Sequence, residues 1–423
     1  MKNINQILKN QIKAIKPPIE IFGTIEKTIG EFCLNLEKKL KKKKIKADIF
    51  IGGSLAKNTL VRKDKYDVDV FVRFDKKYKS NEISKLLGRV LGKSVKKIHG
   101  SRDYYQVIIN GIIIEIVPVM KIKKPQEAQN ITDLSYFHVG YVLSKLNKNR
   151  KLSEEILLAK TFTYAQNCYG AEGYINGFSG YALELLICYY GDFLKFIKAI
   201  SKANANKIII DDSELYKNKN EILRELNKSK RQSPIILIDP TFKERNALAG
   251  LSNETFLKFK KTCQNFLKRP SSKFFEKKDV SEELKKNYGK KLITISIKTS
   301  KQAGDIAGSK SKKFFKFFIR KLGREFEIKK SEFDYYNKKN IAYFYFVLDK
   351  KKDEIIKGPH VTKVENLSSF KRAHPKAFIK NHFAYVKIKH NLGFQKFFNK
   401  FKKKYKKIIK EMDVKKLELV KHY

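Results

Sequence analysis

Along the first 120 residues the spacing of apolar positions changes period several times, and each change marks an element. After a short helix broken at Pro17-Pro18, Ile25, Ile29, Phe32, Leu36 and Leu40 recur at helical spacing, predicting a helix over 24–42. A short strand follows at 47–51, then a Gly52-Gly53 turn. From 67 to 74 the period becomes two, with Val68, Val70, Val72 and Phe74 on one face and Asp67, Asp69, Phe71 and Arg73 on the other. Both carboxylates therefore project from the same side of a strand. A helix over 82–91 leads to strands at 104–109 and 112–117, joined by the hairpin turn Asn110-Gly111.

Helical spacing dominates the middle of the chain, at 152–165 and again at 180–199, with a loop over 170–180. Beyond Pro270-Ser271-Ser272 the pattern shifts to a strand at 292–297, an amphipathic helix carrying Phe314, Phe315, Phe318 and Leu322, and a strand at 341–348. A final helix over 394–412 sets Phe397, Phe398, Phe401, Tyr405, Ile408 and Ile409 against many lysines. No internal repeat is visible. A chain of 423 residues exceeds one ordinary core, which predicts a head over 1–142, a mainly helical centre over 143–272 and a tail over 273–423.

Charge narrows the partner class. Lys and Arg number 93 against 43 Asp and Glu, a net charge of +50, which suits a polyanion such as nucleic acid. Lysine vastly outnumbers arginine, as a coding bias would produce, so part of that excess carries no information about binding. Cys33, Cys168, Cys188 and Cys263 form no CxxC pair, which points away from a zinc site or disulfide framework and toward a reducing cytoplasm. The opening segment lacks the apolar core of a signal peptide, and no apolar run approaches the roughly 20 residues that cross a bilayer. The expectation is an intracellular protein with no membrane partner.

The chemistry is concentrated in the head. Gly53-Ser54 after a strand offers backbone N–H groups and a hydroxyl to phosphates, with a helix start behind it. Asp67 and Asp69 follow on one strand face, and Glu115 lies inside the apolar run Ile113-Ile114-Glu115-Ile116-Val117. An acid there is costly unless paired, protonated or bound to metal. Convergent acids beside a phosphate-binding turn are what nucleotidyl transfer by two magnesium ions requires.

Taken together, these segments resemble the archaeal-type (class I) CCA-adding tRNA nucleotidyltransferases of the polymerase β superfamily. The likeness rests on Gly53-Ser54-Leu55-Ala56-Lys57-Asn58-Thr59 with Asp67-Val68-Asp69, on Glu115-Ile116-Val117-Pro118, and on Thr132 to His138. It continues through Lys160, Tyr169-Gly170-Ala171-Glu172, Gly177 to Tyr181 with Glu184-Leu185-Leu186, then Asp239-Pro240 with Arg245-Asn246-Ala247 and, more loosely, Gly358-Pro359 with the aromatic segments after it. Many relatives of this type carry arginine where Lys57 stands, tryptophan where Leu60 stands, a Glu-Asp order where Asp67 and Asp69 stand, and aspartate where Glu115 stands.

The resemblance implies a polymerase-β-like nucleotidyltransferase head, a mainly helical centre and an α/β tail of ferredoxin or RRM type. Asp67, Asp69 and Glu115 would be the catalytic metal ligands. Gly53, Ser54, Lys57, Ser135, His138, Lys160, Tyr169 and Arg245, together with Asp239, would contact the nucleotide. It further implies two Mg²⁺ ions, the substrates ATP and CTP, and tRNA gripped at its acceptor end, with a homodimer left open. A poly(A)-adding or small-molecule adenylating relative would share the head but lack the blocks around Tyr169 and Arg245. A non-catalytic RNA-binding descendant is the other alternative, with Glu115 its only hint.

Overall fold

The structure, a computed structural model, describes residues 2–100, 102–204, 207–299 and 304–420. Met1 and positions 421–423, the outer limits of the expected head and tail, lie outside the described residues. The chain divides into two compact units, residues 1–171 with 175–277, and residues 172–174 with 278–423.

The first unit opens with helices α1 (Lys2–Ile15) and α2 (Ile19–Lys42), the second longer at its start than the spacing predicted. Pro18 stands at the N-cap of α2, where its missing N–H costs nothing. Strand β1 (Ala47–Ile51), a single helical turn α3 (Gly53–Ala56), β2 (Asp67–Phe74), α4 (Ile83–Leu91), β3 (Lys96–Ile98), β4 (Tyr104–Ile109) and β5 (Ile112–Met120) follow. They build a five-stranded sheet in the order β1-β2-β5-β4-β3. Only β2 and β5 are parallel neighbours in it. Asn110 and Gly111 both take positive φ, 50° and 77°, as the predicted two-residue turn demands. Val68, Val70, Val72 and Phe74 are buried against α2 and α4, so the other face of β2 is left for Asp67 and Asp69.

Next come α5 (Ser135–Lys148), α6 (Leu152–Ala165), α7 (Gly180–Tyr190) and α8 (Phe193–Lys202). The continuous helix predicted over 180–199 is two helices. Gly191 at φ 84° ends α7, and the Asp192 side chain accepts from the Lys195 N–H to cap α8. Helical spacing survives such a break, which is why periodicity alone did not reveal it. Strand β6 (Ile208–Ile210), α9 (Lys219–Glu225), β7 (Ile235–Asp239), β8 (Phe242–Asn246) and α10 (Asn253–Lys268) complete the unit, so the centre also contains a three-stranded sheet, β6-β7-β8. Leu8 and Ile15 of α1 pack into the core formed by α6, α7, α8 and α10.

In the second unit, α11 (Val280–Tyr288), β9 (Leu292–Thr299), α12 (Gly304–Leu322), β10 (Phe326–Tyr336) and β11 (Ile341–Lys350) are followed by β12 (Glu354–His360), α13 (Val364–Ala373), β13 (Phe378–Lys380) and β14 (Phe383–Ile388), then α14 (Phe394–Lys404), α15 (Lys406–Glu411) and β15 (Val414–Val420). The antiparallel sheet runs β10-β11-β9-β15, which with α12 and α14 is the β-α-β-β-α-β ferredoxin-like arrangement. A second sheet, β12-β14-β13, is inserted between β11 and α14. The periodicity did not predict β10, because a bulge between Ile328 and Lys330 shifts its phase. Phe326 and Ile328 lie on the core side before the bulge, Phe333 and Tyr335 after it. Among the described residues no helix is long and apolar enough to cross a membrane.

Candidate active site

The two parallel strands bring the acids together. Asp69 of β2 stands directly opposite Glu115 of β5, and Asp67 lies two residues earlier on the same face. Gln106 of β4, opposite Glu115 on its other side, donates from Nε2 to Glu115 Oε1 at 3.1 Å. Asp67 is exposed and ion-paired to Lys63. Burial first, and then the neighbouring Asp67, push the Asp69 carboxyl up to about 6; burial and Asp69 push Glu115 up to about 7. The Tyr104 phenol beside them is raised to about 12 by burial and by Glu115.

Gly53 explains why this turn needs glycine. Its φ is +60°, and a Cβ there would lie 1.9 Å from Asp69 Oδ2. The backbone of the Gly-Ser turn is thus pressed against the carboxylate, and the Gly52 N–H donates to the Asp69 carbonyl at 2.9 Å. The helix expected behind the turn is only the four residues of α3, so the turn's own N–H groups, rather than a long helix dipole, are what it can offer an anion.

These residues suit hard divalent cations in kind and register: oxygen donors on one sheet face, with two carboxyls raised by burial and by like charge. Among the described residues no three acidic, His or Cys groups already converge as a metal cage. Lys63 holds Asp67 and Gln106 holds Glu115, so both side chains must turn inward to share an ion.

Behind the acids lies a buried charge cluster that the sequence reading assigned only in part. Lys57 Nζ meets Glu184 Oε2 at 2.6 Å, and Lys160 Nζ meets Glu184 Oε1 at 2.8 Å and Thr59 Oγ1 at 2.9 Å. All three ionised side chains are almost wholly buried. Burial lowers the Lys160 pKa, while the two lysines overcome the burial penalty on Glu184 and hold it below the usual range. The Tyr169 hydroxyl and Lys160 Cε both border Gly180, where a Cβ would come within 2.8 Å of that hydroxyl.

A second cluster centres on Asp239, which is 0% exposed. Its carboxylate accepts from Arg245 Nη1 at 2.5 Å, Tyr181 OH at 3.0 Å and the Thr241 N–H at 2.9 Å, and faces His138 Nε2 at 3.0 Å. The His138 ring stacks on Tyr181 with centroids 4.1 Å apart. Against the cost of burial, His138 and Arg245 keep Asp239 well below the usual carboxylate range, while burial lowers His138. Tyr181 and Glu184 sit three residues apart on α7, so one helix joins the two clusters.

Lys57 and Lys160 therefore lie within electrostatic reach of Asp69, Tyr169 borders Gly180 together with Lys160, and His138 gathers with Arg245. Ser54 lies on α3 and half-buried Ser135 begins α5 one turn before His138. Glu184, which pairs with Lys57 and Lys160, and Tyr181 and Asp239, which bond each other beside Arg245, were not singled out for these contacts by the motifs. Glu184 could have been found by the rule applied to Glu115, since it too is an acid inside an apolar run. A cavity of about 960 Å³ lined by Lys79, Lys97 and Arg102 opens at the other ends of β2 and β5. That is roughly 20 Å from Asp67 at about 3.3 Å per residue.

Comparison with known proteins places the chain among nucleotidyltransferases. A nucleotidyltransferase domain matches residues 33–135, and the second domain of tRNA nucleotidyltransferase matches residues 154–276. The chain is 35% identical to the CCA-adding enzyme of Nanoarchaeum equitans over 342 residues, covering 79% of this chain and 81% of that one. It is 30% identical to the CCA-adding enzyme of Methanocaldococcus jannaschii over 402 residues, covering 89% and 86%. Among solved structures, Cid1 poly(U) polymerase aligns with a TM-score of 0.52 at 14% identity, covering 66% of this chain and 99% of that one, a likeness of fold.

Proposed function

The chain belongs to the archaeal-type CCA-adding tRNA nucleotidyltransferases, and from that membership and its carboxylate geometry we infer that it adds the 3′-terminal C-C-A of tRNA from CTP and ATP, without a template. The observation that carries the chemistry is the register of Asp69 against Glu115 behind Gly53.

Asp67, Asp69 and Glu115 would hold two magnesium ions in this reading. When bound, the ions supply activation of the primer 3′-hydroxyl and neutralisation of the departing pyrophosphate. Gly53 and Ser54 present N–H and hydroxyl donors to the terminal phosphates. Lys57 and Lys160 supply compact positive charge to the triphosphate, with Ser135 beside it, while Tyr169 meets the sugar. His138 and Arg245, braced by Asp239, sit where the nucleotide is selected.

The head over 1–142 carries the acids and Lys57, the centre over 143–272 carries Lys160 and Arg245, and the tail over 273–423 grips tRNA. In the inserted sheet of the second unit, Phe378 is 44% exposed and stacks on Tyr385, and Lys357 Nζ lies 3.4 Å from the Phe383 ring centre. Exposed rings next to lysines suit RNA bases and phosphates. Four free cysteines accord with work in the cytoplasm.

The test is to incubate the purified protein with Mg²⁺, labelled CTP or ATP, and tRNA lacking its 3′ end, and to sequence the products. Addition of C-C-A is expected. Runs of a single nucleotide, or none with any RNA, would overturn the assignment.

A further inference from the structure

Glu184 is buried to 2% exposure on α7 and serves two ammonium groups at once, one on each carboxylate oxygen. Lys57 follows the Gly-Ser turn and Lys160 lies on α6, so the acid ties together segments far apart in the chain. If stability were its only role the arrangement would be a poor one, because buried ion pairs are generally matched or bettered by apolar packing. Two buried lysines against one acid also leave a positive charge to be balanced, and an anion balances it. Asp69, the next acid whose ionisation both lysines favour, belongs to the metal-binding set.

We propose that Glu184 is a positioning residue for the incoming triphosphate, fixing the Lys57 and Lys160 ammonium groups as a pair beside Asp69. This rests on the CCA-adding reading. Thr59 Oγ1 supports the same geometry by accepting from Lys160. Without the carboxylate the two ammonium groups repel one another and lose their common anchor, so the triphosphate meets them in scattered positions.

The test compares Glu184→Gln and Glu184→Asp with the wild-type enzyme for the KM and kcat of CTP and ATP addition, and for binding of inorganic tripolyphosphate by calorimetry. Glu184→Gln is expected to raise both nucleotide KM values and the tripolyphosphate Kd by about tenfold or more, with tRNA affinity unchanged. Glu184→Asp, which keeps the charge but is too short to span both lysines, should fall between. In a Lys57→Met background the effect of Glu184→Gln should shrink, because the pair is already broken. Should Glu184→Gln not fold, the Glu184→Asp and Lys57→Met arms decide. Wild-type KM and tripolyphosphate binding in Glu184→Asp, or effects of Glu184 and Lys57 substitutions that simply multiply, would overturn the proposal. Wild-type protein that adds no nucleotide would instead overturn the CCA-adding reading.

Discussion

Asp69 and Glu115 face one another across the parallel strands β2 and β5, although they stand 46 positions apart in the chain. Burial raises both carboxyls, reinforced at Asp69 by Asp67 and at Glu115 by Asp69, and the Gly53 backbone closes over Asp69. Each consequence of this pairing can be measured.

Asp69→Ala is expected to lower nucleotide incorporation by about a thousandfold or more, since a metal ligand contributes several kcal/mol at the transition state. tRNA affinity should stay near wild type, because the acid serves the cations and not the RNA backbone. Filter binding alongside a single-turnover assay separates the two, and equal loss in both would mean that Asp69 is structural.

The raised carboxyls make a pH prediction for the metal-free protein. A carboxyl whose folded pKa lies above its unfolded value of about 4 stabilises fully below that value and loses its contribution as pH rises through the folded pKa. The loss here runs through about 6 for Asp69 and about 7 for Glu115. In EDTA at pH 8, Glu115→Gln should therefore melt a few degrees, roughly 2–4 °C, above wild type. The difference should vanish below about pH 4. Thermal melts across that range check it, and a less stable Gln variant at pH 8 would count against the pairing.

Gly53→Ala places a methyl group where Asp69 Oδ2 now lies, at a φ of +60°. The expected result is a loss of kcat of about a hundredfold or more, with a stability cost of about 1–2 kcal/mol for the left-handed backbone. Steady-state kinetics with denaturant melts would show both, and wild-type kcat would mean that the turn has room to spare.

Asp239→Ala leaves Arg245, His138 and Tyr181 without their shared acceptor. Breaking such a buried cluster should cost about 3–5 kcal/mol of stability. Arg245→Lys keeps the charge but not the planar fork, and is expected to weaken discrimination among nucleotides more than it slows the correct addition. Misincorporation of UTP or GTP into tRNA ending in C-C is the readout, and unchanged fidelity would remove Arg245 from selection.

Much of this arrangement is local and could be read along the chain. Alternation placed Asp67 and Asp69 on one strand face, and Asn110-Gly111 placed the hairpin that carries Glu115 back into the sheet, because side-chain period and turn chemistry are set by adjacent residues. Where local conformation departs from a simple period, reading failed: Gly191 ends α7 without disturbing the helical spacing, and the bulge after Ile328 reverses the alternation of β10.

The sequence by itself determined the acids, the glycine turn, the helical and strand periods and, through its distant blocks, the family. Only the tertiary structure decided which charges meet. Asp69 lies opposite Glu115 because β2 and β5 pair in parallel, and Glu184 holds Lys57 and Lys160 because α6, α7 and the turn after β1 converge. These are contacts between residues 24 to 127 apart in sequence, and no local propensity encodes them. Their physical cause is burial, which gives each charge in the interior a strong need for a partner and leaves few partners within reach.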